Sequence, residues 1–367
     1  MMLTRLSLSG VRNYSALEFQ PEPGLNVLIG ANAQGKSNLL EAISLLATGK
    51  SFRTSREAEL IASGRDSATI SGEARLRAGS IRLACTISSA GRGTRKLYSI
   101  NSQSVRYAAF LGSIKVVTFA PGDLQLVDGA PALRRALLNM ALSQAQPLYY
   151  RNLARYRKTL VQKMALLRGS TAPDRDLLNI YNAELVRCGA EIMLARSEYV
   201  ATLSTFARSI HGAWVHGTES FTVEYAPSVP IEVPTVNDVA GALAKRLAEA
   251  APLEVRRGIS LAGPHRDDLR LLMDGKSLSA FGSQGQQRSA VLALKLAEYT
   301  VLRQRCEEAP LLLLDDVLSE LDNERAGEFL QSIGRYEQAF LTATQAPPEM
   351  RASARYAVNA ATLERVA

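Results

Sequence analysis

Apolar and polar residues alternate from Leu3 to Phe19, around a break at Gly10-Val11-Arg12-Asn13-Tyr14 and ahead of a Pro-Glu-Pro-Gly turn. A period of two predicts a pair of half-buried strands. The next run, Leu25-Asn26-Val27-Leu28-Ile29, is apolar and partly β-branched, as a buried strand requires. From Asn38 to Leu46 the apolar residues recur at helical spacing. Short alternating runs return between residues 68 and 118, punctuated by Gly79, Gly91-Arg92-Gly93 and Asn101, which predicts antiparallel strands and tight turns. Ile114 to Phe119 reads as a further buried strand, followed by the loop Ala120-Pro121-Gly122-Asp123.

Past Pro131 the period becomes helical. Leu142, Ala145, Tyr149, Leu153, Tyr156, Leu160, Met164 and Leu167 step by three or four, and Pro147 should break this helix near its start. After the turn Gly169 to Pro173, a second stripe runs from Leu178 through Leu185, Ile192 and Tyr199 to Ile210. Two helices joined by a short turn predict an antiparallel hairpin, its second arm about 50 Å long at 1.5 Å per residue. The strand Phe221 to Tyr225 and a helix from Val239 to about Leu253 lead back. Leu311 to Leu314 and Ala339 to Thr342 read as two more buried strands. The pattern divides the chain into an α/β body, residues 1–128 and 258–367, and an inserted helical lobe, residues 129–257. Trp214 ends the second arm and reads as core.

Charge changes this picture. The chain of 367 residues has a net charge of +8, but residues 74–173 hold 16 Lys or Arg against two acids, Asp123 and Asp128. That tract carries +14, and the remaining 267 residues sum to −6. So basic a tract points to a polyanionic partner, most simply nucleic acid. Its candidate contacts are Arg75, Arg77, Arg134, Arg135, Arg151, Arg155, Arg157, Lys158 and Lys163. No apolar run reaches the length of a membrane span, and Met1 to Leu8 lacks the layout of a signal peptide. Cys85, Cys188 and Cys306 form no CxxC and suit the core of a protein in a reducing compartment, so the expectation is cytoplasmic, without a membrane partner. His211 and His216 show no metal spacing with the cysteines.

The candidate chemistry sits between strand and helix. Gly30-Ala31-Asn32-Ala33-Gln34-Gly35-Lys36-Ser37 fits GxxxxGK[ST] in the strand, loop, helix context that motif needs. Its backbone N–H groups can wrap a phosphate, Lys36 supplies a charge, and the Ser37 hydroxyl suits a Mg²⁺ ion. This predicts a nucleoside triphosphate site. Arg12 and Asn13 sit at a strand end from which they either reach the nucleotide or cap a turn. The segment Gly49 to Thr54, with Lys50 and Arg53, is either a loop beside the phosphates or a helix end with well-placed cations. The strand Leu311 to Leu314 delivers Asp315 and Asp316 to its carboxyl end, where parallel sheets place their ligands. Asp315 is placed to hold Mg²⁺ and Asp316 to polarise the attacking water. Ser283-Gln284-Gly285-Gln286 opens another helix and offers a second anion cradle.

A phosphate loop, a Ser-x-Gly-Gln turn, an aspartate-ended strand and Ser319-Glu320-Leu321-Asp322, in that order, resemble an ABC-type ATPase head. Arg12-Asn13-Tyr14 and Gly35-Lys36-Ser37-Asn38 are similar to its SMC-like branch. Gly49-Lys50-Ser51-Phe52-Arg53, Phe119-Ala120-Pro121-Gly122-Asp123-Leu124, Gly263-Pro264-His265-Arg266-Asp267-Asp268-Leu269 and Asp315-Asp316-Val317 together resemble the RecF family within that branch.

The resemblance implies an α/β head with an antiparallel β subdomain and an inserted helical hairpin. It implies ATP and Mg²⁺, bound through Arg12, Asn13, residues 30–38 and Asp315, with Lys36 and Asp316 catalytic. It further implies an ATP-dependent homodimer in which Ser283, Gly285 and Gln286 act in trans and Asp322 lies at the interface. The implied partners are single- and double-stranded DNA and their junctions, with RecO and RecR, in promoting RecA loading. Asp316 stands where ABC heads carry Glu, Thr344-Gln345 where they carry His, and Pro121 where they carry the Q-loop Gln. Slow, DNA-stimulated hydrolysis is therefore expected, with ATP chiefly a dimerisation switch. A transporter ATPase subunit would share the head motifs, but needs a transmembrane partner and gives the basic hairpin no purpose.

Overall fold

The computed structural model describes every residue except 92, 170–171, 216, 321–326, 328, 330–335, 346–349 and 367. Asp322 and His216 thus lie outside the described residues. The chain begins with strands β1 (Met2–Val11), β2 (Tyr14–Phe19) and β3 (Gly24–Ile29), then helix α1 (Lys36–Thr48). Strands β4 (Ser67–Leu76), β5 (Gly79–Ala90), β6 (Gly93–Ile100), β7 (Gln103–Val105) and β8 (Val116–Phe119) follow. Helices α2 (Pro131–Ala145), α3 (Pro147–Gly169) and α4 (Arg175–Trp214) precede β9 (Phe221–Ala226) and α5 (Val236–Arg257). The chain closes with β10 (Asp268–Met273), β11 (Lys276–Ser277), α6 (Gln284–Cys306), β12 (Leu311–Leu314), β13 (Gln338–Ala343), β14 (Ala354–Asn359) and β15 (Thr362–Val366).

These elements form two compact units. The first comprises residues 1–124, 209–218 and 282–367 and holds two six-stranded sheets. One is antiparallel, in the order β2-β1-β4-β5-β6-β7. The other runs β15-β14-β3-β13-β12-β8 and is parallel except for the β14–β15 hairpin. Helix α1 is buried on nearly every side, from Leu39 and Leu40 to Leu46 and Ala47, and shares one apolar core with residues of both sheets. Such all-round burial explains why its sequence is more uniformly apolar than an amphipathic surface helix. Register fixes where the parallel strands end. Leu314 pairs with Phe119 and Leu341, and Ala343 with Ile29, so Gly30, Thr342 and Asp315 emerge at one edge.

The second unit comprises residues 125–208 and 219–281. Its helices follow the stripes: Leu142, Tyr149, Leu153, Tyr156 and Leu167 are buried, as are Leu185, Cys188, Ile192, Tyr199 and Leu203. The helix break falls at Gln146, before Pro147, whose ring cannot continue the preceding helix. The grouping departs from the division at 128/129 and 257/258 expected above. Strand β10 pairs antiparallel with β9, from Asp268 against Ala226 to Met273 against Phe221, so residues 258–281 stay with the helices. Residues 209–218, the end of α4 and the start of its connection to β9, count with the first unit, where buried His211 Nε2 lies 3.2 Å from Ser289 Oγ on α6.

Candidate functional site

The loop between β3 and α1 is shaped by two glycines for different reasons. Gly35 takes φ 119°, in the left-handed region, and a Cβ there would lie 2.9 Å from the Tyr14 hydroxyl. A Cβ at Gly30 would lie 2.3 Å from the Val358 carbonyl oxygen, so close passage of β14 fixes that residue. The loop is braced from both sides. Tyr14 Oη donates to the Gly35 carbonyl at 3.1 Å and Asn13 Nδ2 to that of Gln34 at 3.3 Å. Across the loop, Gln34 Oε1 accepts from Ala360 N–H at 2.7 Å and the Gln34 carbonyl from Ala361 N–H at 3.0 Å. Lys36 Nζ is held over the loop by the carbonyls of Gly30 and Ala31, at 2.6 and 2.8 Å. Burial lowers its pKa, while Asp316 and Asp315 pull the other way.

The two acids arrive from the end of β12, which β13 separates from β3. Ser37 Oγ donates to Asp315 Oδ1 at 2.7 Å, joining the start of α1 to the end of β12. Thr342 Oγ1 donates to the same oxygen at 2.8 Å and accepts the Asp316 N–H at 2.8 Å. Burial raises the Asp315 pKa, and the bonds from Ser37 and Thr342 offset part of that. Asp316 has φ 52°, a left-handed backbone unusual for a side chain with a Cβ. Thr342 is the member of this cluster that motif reading missed. Its role comes from register between β12 and β13, and no local pattern announces it.

Of the Arg12-Asn13 pair, only Asn13 hydrogen-bonds to the loop among the described residues. The Arg12 guanidinium instead grips buried Glu41 through two bonds, at 2.8 and 2.9 Å, and donates to the Glu59 carbonyl at 2.9 Å. The segment after α1 does approach the site. Arg53 donates to Asn38 Oδ1 at 2.6 Å, Asn38 Nδ2 donates to Asn13 Oδ1 at 2.8 Å, and the Arg53 charge offsets part of the rise that burial gives the Asp315 pKa. Ser283 and Gln286 form a capping box at the N-terminus of α6. Ser283 Oγ accepts from Gln286 N–H at 3.2 Å and Gln286 Oε1 from Ser283 N–H at 2.8 Å. Ser283 and Gln284 are exposed and Gly285 half-buried.

In the second unit, two candidate nucleic-acid contacts turn inward. Arg134 is buried, and its Nε and Nη2 donate to Asp268 at 2.7 and 2.9 Å. Lys163 is 1% exposed and pairs with Glu254 at 2.6 Å. Arg135 is half-buried and donates to the Asp267 carbonyl at 2.8 Å. Their long stems and fixed bonds make them braces of the fold. Arg151, Arg155, Arg157 and Lys158 on α3 are exposed, as are Arg75 and Arg77 in the first unit.

The stretch Gly263 to Leu269, whose role the sequence left open, proves to be a clamp. Fully buried Asp267 accepts from Arg196 Nη1 at 2.8 Å and Ser228 N–H at 2.8 Å, and Tyr225 Oη donates to it as well. Arg196 also reaches the Pro264 carbonyl, Asn139 and Tyr149. His265 Nδ1 lies 2.6 Å from Tyr156 Oη, and its Nε2 lies 3.1 Å from the Ser260 carbonyl. Only a ring protonated at Nε2 can donate to that carbonyl and leave Nδ1 to accept from Tyr156. Among the described residues no group of acids, His and Cys could hold a metal by itself, and no helix is long and apolar enough to cross a membrane.

The RecF/RecN/SMC N terminal domain family matches residues 2–364. The DNA replication and repair protein RecF of Geobacillus thermodenitrificans is 38% identical over 348 residues, covering 94% of this chain and 93% of that protein. RecF of Bacillus mycoides is 40% identical over 348 residues, covering 94% and 92%. A solved structure of the recombination mediator protein RecF with ATP, in the RecFOR pathway, aligns with a TM-score of 0.91 at 29% identity, covering 100% of this chain and 97% of that one. An Smc head bound to the C-winged helix domain of ScpA shares the fold at a TM-score of 0.58 and 16% identity, covering 100% and 98%. With the ABC/SMC-type head fold and near-complete coverage on both sides, the chain belongs to the RecF family of DNA replication and repair proteins.

Proposed function

We propose that this chain is an ATP-switched, DNA-binding recombination mediator that closes head to head on gaps or junctions. It would act with RecO and RecR to promote RecA loading, a reading supported by the RecF relatives and the mediator structure above. The observation that carries it is the Ser37–Asp315 hydrogen bond, which unites the phosphate loop with the aspartate of β12. A hydroxyl and a carboxylate are hard oxygen donors, and they fit Mg²⁺, which favours few protein ligands and completes its shell with phosphate oxygens and water. When bound, that ion neutralises phosphate charge. Ser37 and Asp315 would hold it, Thr342 would orient Asp315, and the loop N–H groups with Lys36 would bind the triphosphate. Asp316 would accept a proton from the attacking water. Its side chain is one methylene shorter than Glu, consistent with slow turnover.

Ser283 and Gly285, at the exposed end of α6, would face the phosphates of a second copy. Sizing by light scattering, with and without ATP and DNA, tests this. The wild type should shift to a dimer with both. Lys36→Ala should lose nucleotide binding at least tenfold. Ser283→Arg should bind ATP yet stay monomeric. A wild type that never dimerises, or a Ser283→Arg variant that still does, would sink the reading.

A further inference from the structure

The geometry points to a site for an unpaired nucleotide in the groove between α3 and α4, which rests on the DNA-binding reading above and gives it a location. The groove is open to solvent and has a volume of about 580 Å³. Arg155, Lys158 and Arg187 supply cations at its lining, and Ile180 and Tyr181 supply apolar and aromatic surface. Ile180 is 63% exposed, and Tyr181 beside it is half-buried. Glu184 lies between Arg155 and Arg187, paired with both, and orients the two guanidinium groups. Among the described residues no acid pairs with Lys158, so the four charged side chains leave the groove with a net charge of +2.

Charge alone would suit any phosphate backbone. The apolar and aromatic wall is what selects among nucleic acids. A duplex presents sugars and phosphates and keeps its base faces stacked inside, so it has nothing to lay against Ile180 and Tyr181. An unpaired base has a free π-face, and stacking on an aromatic ring beside cations is how single strands are held without sequence preference. The groove therefore takes one or a few nucleotides of a single-stranded arm, base on Tyr181 and phosphate toward Lys158 and Arg187.

Fluorescence anisotropy with a blunt duplex and with the same duplex bearing an oligothymidine arm tests this. Tyr181→Ala should weaken binding of the armed substrate roughly tenfold, the scale of one lost base stack, and leave the blunt duplex unchanged. Tyr181→Phe should restore it. Lys158→Glu, at an exposed position, should weaken the armed substrate more than the blunt one. An arm carrying 5-iododeoxyuridine should crosslink to Tyr181. Equal losses on both substrates, or none on either, overturn the assignment while leaving DNA binding intact. A wild type that binds neither substrate overturns the DNA reading and this site together. Loss of an oligoglutamate peptide, but not of the armed substrate, in Lys158→Glu would give the groove to an acidic peptide and refute the nucleotide.

Discussion

His265 illustrates how a single side chain reports its surroundings. Burial lowers its pKa from 6.5 to about 4, assisted by the charges of Arg266, Lys163 and Arg135. The folded state therefore prefers the neutral ring that accepts from Tyr156 and donates to the Ser260 carbonyl. Between the two pKa values the unfolded chain binds a proton that the folded chain refuses, so stability rises with pH there. The contribution is fully present above pH 6.5 and is lost as pH falls through about 4. Its size is about 3 kcal/mol at 1.36 kcal/mol per pKa unit. Urea unfolding at several pH values should show the stability gap between wild type and His265→Gln shrinking by about that amount from pH 7 to 4. A constant gap would mean the ring is not held neutral. Residues such as Lys36, Ser37 and Asp315 were legible because their chemistry is written in contiguous motifs. His265 and Thr342 were not, because their partners are set by strand register and by helices remote in sequence.

Helix α3 shows what periodicity discloses about an element and what it hides. Its apolar stripe placed Tyr149, Leu153, Tyr156 and Leu167 in the core, and its proline marked the break before it. The first arm, from Pro131 to Arg168, carries many cations and no acid. Lys163 on α3 and Arg134 on the preceding α2 are internal counterions, because their acids lie on α5 and β10. Lys163 at Glu254 is the sharper case. Desolvation lowers the Lys163 pKa, Glu254 opposes it, and Glu254 Oε1 also accepts from Ser260 Oγ at 3.0 Å and Leu261 N–H at 2.7 Å. Lys163→Met should leave a buried carboxylate without its cation and cost about 3–5 kcal/mol in denaturant unfolding. Adding Glu254→Leu should recover only part, since Ser260 and Leu261 would then lose their acceptor. Full recovery would show that the carboxylate's other bonds contribute nothing.

Folding has sorted the basic tract into cations that brace and cations that face solvent, and only the second kind can meet phosphate. The net +14 of residues 74–173 thus overstates the charge available to DNA. Arg134 and Lys163 are neutralised inside, and Arg155 shares Glu184 with Arg187. Arg151, Arg157 and Lys158 remain exposed on α3, with no acid paired to them among the described residues. Each phosphate neutralised on a duplex releases condensed counterions and steepens the fall of log K with log salt by about 0.9. If α3 tracks the backbone, replacing Arg151 and Arg157 together by Glu should flatten that slope by about two, and lower affinity alike for unrelated duplex sequences. Lys163→Met should leave the slope unchanged, since a buried, paired cation releases no counterion. Anisotropy titrations across a salt series read both. A slope indifferent to Arg151 and Arg157 but flattened by Arg75→Glu with Arg77→Glu would move the phosphate contacts to the antiparallel sheet, because only cations that meet phosphate alter the number of counterions released.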